Sequence, residues 1–417
     1  MKTIIITLSI VVALFAQNER VNDHFAFLQQ IYFENTKGLY DNYLNAELQT
    51  FLQKYPEFDQ ADQVLWMLGD VQINLKRPYA AFIQYFKIPI LYPKSKIAPE
   101  AISKLDDLFS RVKNAAFLEK KDTVLAYLNQ THYFDSFDEA AVDMYNFLFS
   151  LDLSKLNTPL LYDLNQFERE CRLSGKHEDI LLFLKGQLNE SLNHYPAAEA
   201  NFRQLLALHK ASLLAPDALF NTGWLDYRHL NKIEEAKNAF VRIINSYPNN
   251  ENAPKAQFFL AELYVRSMDS LNAGIDNYRL FVDAFPDHPL FRKAFKRLTL
   301  LLFKTKRYEE AVTLIGTHLN KHAQDTTFYA LVDSMALIFF KKFKKYEYAA
   351  RCYVLLASAN PESAKSPFYL YQAARIYMKF LKDIGRAKDV CQRLQEHYSQ
   401  SPYATKCRLL IKQRIKK

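Results

Sequence analysis

The sequence has 417 residues, of which 49% are hydrophobic, with a formal net charge of +9, only 8 glycines and 4 cysteines. All-β folds and nucleotide-binding α/β folds use many glycines in tight turns and phosphate loops, so this composition counts against both and favours helices. Charges of both signs are interspersed, which counts against a nucleic-acid-binding protein. The cysteines are too few to form a disulfide framework in a chain of this length.

The first residues have the pattern of a secretory signal peptide. Lys2 precedes an uninterrupted apolar run from Thr3 to Phe15, and Ala16 precedes a polar stretch that begins at Gln17. A transmembrane helix needs about 20 apolar residues, so this run is too short to span a bilayer comfortably. We expect residues 1–16 to be cleaved after Ala16, leaving a net charge of +9 − 1 = +8 on an exported protein that is periplasmic or associated with the outer membrane. An uncleaved segment that anchors an assembly factor is the alternative.

Residues 17–110 contain the first signs of a helical repeat. Gly69, Ala81, Tyr85 and Pro93 follow one another at spacings that recur further along the chain. Small residues at fixed spacing, together with apolar residues at helical spacing, predict antiparallel helix pairs.

Residues 111–185 are expected to be a degenerate part of the same array. They are apolar with helical spacing but lack the register of small residues and prolines. The helical pattern breaks between Leu151 and Pro159, where we expect a long loop rather than a linker between domains.

The clearest signal is an internal repeat across residues 186–402, with a period of about 37–38 residues. Six alanines share one register at this interval: Ala198, Ala236, Ala273, Ala311, Ala349 and Ala387. A small residue stands twelve or thirteen positions before each of them: Gly186, Gly223, Ala261, Thr299, Ala336 and Ala374. Pro248, Pro286 and Pro361 mark turns at equivalent places.

The physical chemistry of one unit predicts why such units stack. Two apolar stripes at helical spacing lie between Pro216 and Pro248, separated by a short polar connection. Gly223 and Ala236 allow the two helices to approach closely, and Phe240 fills the space towards the next pair. A single pair cannot bury both of its faces, so pairs must stack on one another.

This order of residues resembles the tetratricopeptide repeat, although the period exceeds the usual length in that family, which is about 34 residues. Elongated units that end in Tyr-Pro, as at Tyr247-Pro248, also resemble the repeats of two bacterial envelope proteins. These are the Tol–Pal accessory protein and the lipoprotein of the outer-membrane barrel-assembly machinery. The resemblance implies an all-α fold, an α-solenoid of stacked antiparallel helix pairs in a right-handed superhelix. It also implies a non-enzymatic envelope scaffold that binds partner proteins or peptides.

A series of cations keeps the repeat register and is the candidate binding site. Five residues after each small residue from Gly223 onwards stand Arg228, Arg266, Lys304, Lys341 and Lys379. An apolar or aromatic residue precedes each of them, including Tyr227, Phe303 and Phe340. In the resembled family the first helices line the superhelical groove, so a groove for acidic, partly apolar peptides is expected. The alternative is that cations at helix C-termini only favour the helix dipole.

The sequence has no motif for catalysis or for cofactor binding. No two glycines are close enough to form a phosphate loop, and no HExxH metalloprotease motif occurs. His318 and His322 are four residues apart on a predicted helix, and we interpret them as solvated residues rather than metal ligands. We therefore expect no enzyme activity, no cofactor and no metal.

Two features concern the C-terminal end. Cys391 and Cys407 flank a predicted helix turn, so a disulfide between them is one option and burial as small apolar residues is the other. Residues 403–417 form a basic amphipathic helix, which we expect to cap the array. Peripheral contact with an anionic membrane is the alternative role.

A second class of function, binding of glycans or peptidoglycan, also remains open. It would need an aromatic platform with amides and carboxylates in one cavity, and Trp66 and Trp224 are the only tryptophans. The oligomeric state does not follow from the sequence.

Overall fold

A computed structural model describes residues 20–170, 176–322 and 325–415. The described residues contain helices and no strand, which confirms the predicted all-α fold of stacked helix pairs. The predicted signal peptide, residues 1–16, lies outside the described residues. The chain divides into two compact units, Met1–Asn231 and Lys232–Lys417. The division falls inside the stretch 186–402 that carries the regular repeat.

The N-terminal unit contains helices α1 to α12. Helix α1 covers residues 20–34. The others are α2 Asp41–Lys54, α3 Ala61–Asn74, α4 Pro78–Leu91, α5 Ala98–Arg111, α6 Ala115–Leu118, α7 Lys121–Leu128, α8 Phe137–Ser150, α9 Ser154–Glu170, α10 Glu178–Ser191, α11 Tyr195–Leu208 and α12 Ala215–Arg228.

The C-terminal unit contains helices α13 to α22 and one π-helical segment. They are α13 Ile233–Ser246, α14 Asn252–Arg266, α15 Leu271–Ala284, α16 Phe291–Lys304, α17 Tyr308–Lys321, α18 Thr326–Lys341, α19 Tyr346–Ala359, α20 Ser366–Ile376, the π-helical segment Tyr377–Leu381, α21 Ile384–His397 and α22 Pro402–Ile415. None of the described helices of either unit is both long and apolar enough to cross a membrane.

The turn between α3 and α4 has a residue with a left-handed backbone, Lys76, with a φ of 60°. Six later turns, in the regular repeat, each have one residue with a φ between 46° and 64°: Asn193, Asn231, Asp269, Lys306, Lys344 and Lys382. They recur with the period of the sequence repeat, so the backbone follows the same register as the small side chains. Asn and Asp tolerate this conformation better than Lys, and Gly tolerates it best.

Close approach of paired helices depends on the small residues, as the sequence indicated. A Cβ added to Gly69 would lie 2.5 Å from Tyr85 Cε1, and one added to Gly186 would lie 2.4 Å from Phe202 Cε1. Each aromatic ring therefore occupies the space that a side chain at the glycine would need.

The predicted register of buried alanines is wrong at one position. Ala198, Ala236, Ala311, Ala349 and Ala387 are fully buried, but Ala273 is only half-buried. Its neighbour Gly274 holds the equivalent position, because a Cβ there would lie 2.3 Å from Val265 Cγ2. The register is equally regular with Gly274 in this place.

The predicted long loop between Leu151 and Pro159 is also wrong. Helix α8 ends at Ser150 and α9 begins at Ser154, so only three residues connect them, and Asp152 turns the chain with a φ of 53°. Pro159 lies inside α9, where it removes one backbone donor without ending the helix.

Helix α9 packs on α2 and α4 as well as on its sequence neighbours α8 and α10. Helix α4 is therefore covered on several sides, and even Gln84 and Lys87 are buried in it.

Helix α22 completes the C-terminal unit. It packs against α20 and α21, with Ala404 and Cys407 fully buried. Cys407 is disulfide-bonded to Cys391 of α21, with their Cα atoms 5.6 Å apart, a usual separation for a disulfide.

Candidate functional site

The five cations predicted from the register lie at equivalent places in the helix pairs. Arg228, Arg266, Lys304 and Lys341 are the last residues of α12, α14, α16 and α18, while Lys379 lies in the π-helical segment after α20. All five are exposed. Arg228 belongs to the N-terminal unit and the other four belong to the C-terminal unit.

Arg266 differs from the three lysines because it is engaged within the protein. Its Nε lies 2.7 Å from Oε2 of the buried Glu262, and Arg297 Nε lies 3.1 Å from Oε1 of the same carboxylate. The hydroxyl of Tyr278 also donates to Glu262, and burial raises the pKa of Tyr278 above its usual range. Arg266 thus compensates a buried charge, which leaves it less available to a ligand.

The charges of Lys304, Lys341 and Lys379 are not compensated by a neighbouring side chain. None of them makes an ion pair or a side-chain hydrogen bond with any residue in the described ranges. Their position at the ends of first helices also favours the helix dipole, so position alone does not decide between a structural role and a binding role.

The neighbouring aromatic residues behave in two different ways. Phe303 is buried, and its ring stacks on that of Phe339 with centroids 3.4 Å apart, so it belongs to the core and not to a binding surface. Tyr227 is half-buried in the N-terminal unit. Phe340 is also half-buried, but it lies at the edge of an accessible aromatic cluster.

That cluster joins two successive repeats of the C-terminal unit. The ring of Phe340 lies 4.8 Å from that of Phe380 and 5.3 Å from that of Tyr346, and the rings of Tyr346 and Phe380 are 4.9 Å apart. Phe380 remains 43% exposed. Phe340, Tyr346, Phe380, Lys341 and Lys379 are called the aromatic–cation patch below. The sequence analysis missed Phe380 and Tyr346, although Phe380 directly follows a cation of the series.

Four charged residues on the second helices contrast with the lysines of the patch because they are paired with one another. Arg279 Nη2 lies 2.8 Å from Glu310 Oε2, and Arg351 Nη1 lies 2.8 Å from Glu309 Oε2. Hydrogen bonds from Arg307 and Arg279 lower the pKa of Glu310 to about 2. These ion pairs connect second helices of successive repeats, so their charges are occupied within the protein.

The interpretation of His318 in α17 and of His322 just after it as solvated is wrong for His318. This residue is only 2% exposed, and its ring lies 5.2 Å from that of Phe295. Burial lowers the pKa of His318 to about 4, so it is neutral near pH 7. Among the described residues, no group of three or more His, Cys, Asp or Glu side chains that could hold a metal ion surrounds the pair.

Comparison with known proteins relates the two clearest repeats to a family. The tetratricopeptide repeat family matches residues 217–250 and 369–401. The second match covers most of α20, the π-helical segment and α21. The chain therefore carries tetratricopeptide-type helical repeats. No curated protein gives a significant match to the sequence.

Solved structures of several repeat proteins are similar to this chain. A tetratricopeptide repeat protein from Parabacteroides merdae is 13% identical, covers 66% of this chain and 97% of its own, and gives a TM-score of 0.38. YrrB, described as a TPR protein with an unusual peptide-binding site, is 13% identical over 57% of this chain and 95% of its own, with a TM-score of 0.29. The quorum sensor NprR from B. thuringiensis is 16% identical over 66% of this chain and 80% of its own, with a TM-score of 0.31.

Proposed function

We propose that this protein is a non-enzymatic scaffold that binds acidic, partly apolar segments of partner proteins at the aromatic–cation patch. The observation that carries the proposal is the contrast in charge. Lys304, Lys341 and Lys379 are unpaired, and the last two adjoin the aromatic residues Phe340 and Phe380 in sequence. The charges of the second helices that link successive repeats, such as Arg279 with Glu310, are paired. A surface with unpaired cations has more to gain from an acidic ligand than one whose charges are already compensated.

The patch has the chemistry that recurs at protein interfaces. Aromatic side chains supply large, rigid contact area, and their hydrophobic contribution dominates binding when they become buried. Lys341 and Lys379 flank the rings in sequence, and Lys304 extends the series by one repeat. The cations would attract an acidic segment over a distance close to the Debye length, which is about 8 Å at physiological ionic strength.

Selection of peptides followed by charge reversal tests this proposal. A random peptide library is selected on the wild-type protein, and the affinity of the enriched peptides is measured by fluorescence anisotropy. We expect acidic sequences with one or more apolar residues to be enriched. Lys304→Glu with Lys341→Glu should weaken their binding at least about tenfold at low salt, because each reversal replaces an attraction with a repulsion. Wild-type binding should also weaken as salt rises.

The control variant carries the same change in charge on second helices. Lys321→Glu with Lys388→Glu reverses two exposed lysines of α17 and α21 and should leave peptide affinity within about twofold of wild type, since rim charges contribute little. Equal losses of peptide affinity in the two variants would indicate a general effect of net charge and would contradict a binding site at the patch. Enrichment of basic or purely apolar peptides would contradict it as well.

The second part of the proposal is export to the bacterial envelope. It rests on the apolar run before Ala16 and on the resemblance of the Tyr-Pro units to those of the Tol–Pal accessory protein and the barrel-assembly lipoprotein. N-terminal determination of the protein from a fractionated envelope should show Gln17 as the first residue. A protein that retains Met1 in the membrane fraction would favour the anchored assembly factor, and one found only in the cytoplasm would contradict export.

A further inference from the structure

The N-terminal unit contains a cavity that the repeat pattern did not predict. It has a volume of about 480 Å³ and lies between α2, the α3–α4 turn, α4 and α9. This volume falls in the range of about 300–1,000 Å³ that is common for small-molecule sites. Helices α2, α4 and α9 are the second members of their pairs. The cavity also includes the end of the first helix α3, and it shares no residue with the aromatic–cation patch.

The wall that α9 contributes is fixed by polar contacts with distant parts of the chain. Gln53 Nε2 donates to Gln166 Oε1 at 2.7 Å, and the Tyr162 hydroxyl donates to Gln49 Oε1 at 3.1 Å. Asp163 accepts hydrogen bonds from Gln84 Nε2 and from the Tyr145 hydroxyl, each at 2.6 Å. These contacts hold α9 in place, so the cavity is already formed without a ligand.

The side-chain oxygens of two buried glutamines in the cavity wall accept no hydrogen bond. Gln72 and Gln84 are 4% and 5% exposed, and both line the cavity. Their Nε2 atoms donate to Asn45 Oδ1 and Asp163 Oδ1, but neither Oε1 atom has a hydrogen-bond partner. Both Oε1 atoms are closed off from solvent, so these two glutamines form part of the inner wall and do not offer their oxygens to a ligand.

The rim of the cavity is positively charged. Lys76, Arg77 and Lys155 line it, all three are exposed, and none makes an ion pair with a residue in the described part of the chain. The one carboxylate of the lining, Asp163, is compensated by Lys87 Nζ at 2.7 Å. The rim therefore suits a ligand with a negative group.

The aromatic and amide groups of the cavity complete the chemistry of a carbohydrate site. Tyr79 and Tyr162 supply ring surfaces, and the half-buried side chains of Asn45 and Gln49 supply hydrogen-bonding amides. Sugar hydroxyls can donate and accept, which matches amides that offer both kinds of partner. We propose that this cavity binds a sugar acid, with its hydroxyl or acetamido groups on the amides of Asn45 and Gln49 and its carboxylate at Arg77 and Lys155.

Paired sugars that differ by one carboxylate test the proposal. Binding to the full chain is measured by isothermal titration with N-acetylmuramic acid against N-acetylglucosamine, and with glucuronic acid against glucose. We expect at least one acid to bind about tenfold more tightly than its neutral counterpart, because its carboxylate accepts charge-assisted hydrogen bonds from the cations of the rim. Tighter binding of the first acid would indicate a cell-wall sugar, and tighter binding of the second would indicate a uronic acid.

Two variants separate the site from general effects of charge or folding. Arg77→Ala with Lys155→Ala should reduce the affinity for the acid to that of the neutral sugar. Lys94→Ala with Lys96→Ala, an equal change at exposed residues of the same unit outside the cavity, should not.

Three results would overturn the proposal. One is the absence of binding by both acids at millimolar concentration, and another is equal binding of acids and neutral sugars. The third is binding of an acid that survives Arg77→Ala with Lys155→Ala unchanged.

Discussion

The two units use similar helix pairs but connect them differently. In the C-terminal unit the polar contacts between repeats join equivalent helices about one period apart, such as the ion pair of Arg279 with Glu310. In the N-terminal unit, α9 also returns to α2 through the hydrogen bond between Tyr162 and Gln49, which are 113 residues apart. A sequence period specifies contacts between neighbouring repeats. Contacts between distant repeats depend on individual polar residues, which no period specifies.

The largest expected effect on stability comes from breaking the buried ion pair between Lys87 of α4 and Asp163 of α9. Lys87 and Asp163 have side chains only 4% and 8% exposed. Lys87→Met leaves the Asp163 carboxylate buried without its cation, which should cost about 3–5 kcal/mol of stability. Urea unfolding of the full chain measures the loss, and hydrogen exchange should locate it in α4 and α9.

The matched control is Lys104→Met in the same unit. Lys104 pairs with Asp70 at 2.9 Å, but its side chain is 41% exposed, so the loss should be about 1 kcal/mol or less. Similar losses in the two variants would contradict the view that α9 is held by a desolvated charge pair.

In the C-terminal unit the strongest single constraint is the disulfide between Cys391 and Cys407. It closes a loop with a sequence separation of 16, which corresponds to about 3 kcal/mol of stabilisation. Reduction should lower the melting temperature of the wild type and increase hydrogen exchange in α21 and α22.

The same reductant should have no effect on the Cys391→Ser, Cys407→Ser variant, which serves as the control. Burial raises the pKa of the free Cys352 thiol to about 12, so this thiol should resist labelling in the native protein. Labelling of Cys391 and Cys407 in protein made under oxidising conditions would show that the disulfide does not form.

A third effect concerns the close contact of paired helices. Gly69→Ala places a Cβ against the Tyr85 ring, whose hydroxyl is held by a 2.6 Å hydrogen bond to Asp70 Oδ1. The variant should lose about 1–3 kcal/mol through overpacking. Gly316→Ala is the control, because its Cβ would lie 3.4 Å from Leu355 Cδ2, and it should gain up to about 1 kcal/mol from helix propensity. If thermal unfolding shows that both variants lose stability, the closeness of the neighbouring side chain does not explain the effect at Gly69.

The smallest effect concerns the left-handed turns. Lys306→Gly and Lys344→Gly should each raise stability by about 0.5–1 kcal/mol, because positive φ costs Lys about 1–2 kcal/mol and costs Gly nothing. Lys388→Gly, in the interior of α21, should lower stability by about 1 kcal/mol instead. Melting temperatures that fall in all three variants would show that the turns carry no strain.

The sequence predicted the helix pairs because small side chains must recur where helices meet. It misplaced the register at Ala273, since Gly274 is equally small and only the contact with Val265 distinguishes them. It assigned Phe303 to a groove because periodicity does not show which side of a buried helix an aromatic ring faces. The cavity beside α9 could not be predicted, since it depends on contacts between residues far apart in the sequence. The mostly apolar sequence of α4, in which only Gln84 and Lys87 are strongly polar, was the one available signal that it is covered on several sides.

Site-specific cross-linking tests the proposed binding surface most directly. A photoreactive benzoylphenylalanine replaces Phe380 of the aromatic–cation patch in one variant and Leu280 in the other, an exposed residue of the second helix α15. Each variant is irradiated with an acidic peptide selected on the wild type. We expect cross-links at position 380 that are lost when Lys304→Glu and Lys341→Glu are added, and few at position 280. Equal cross-linking at both positions, or cross-links at 380 that persist after charge reversal, would contradict binding at the patch.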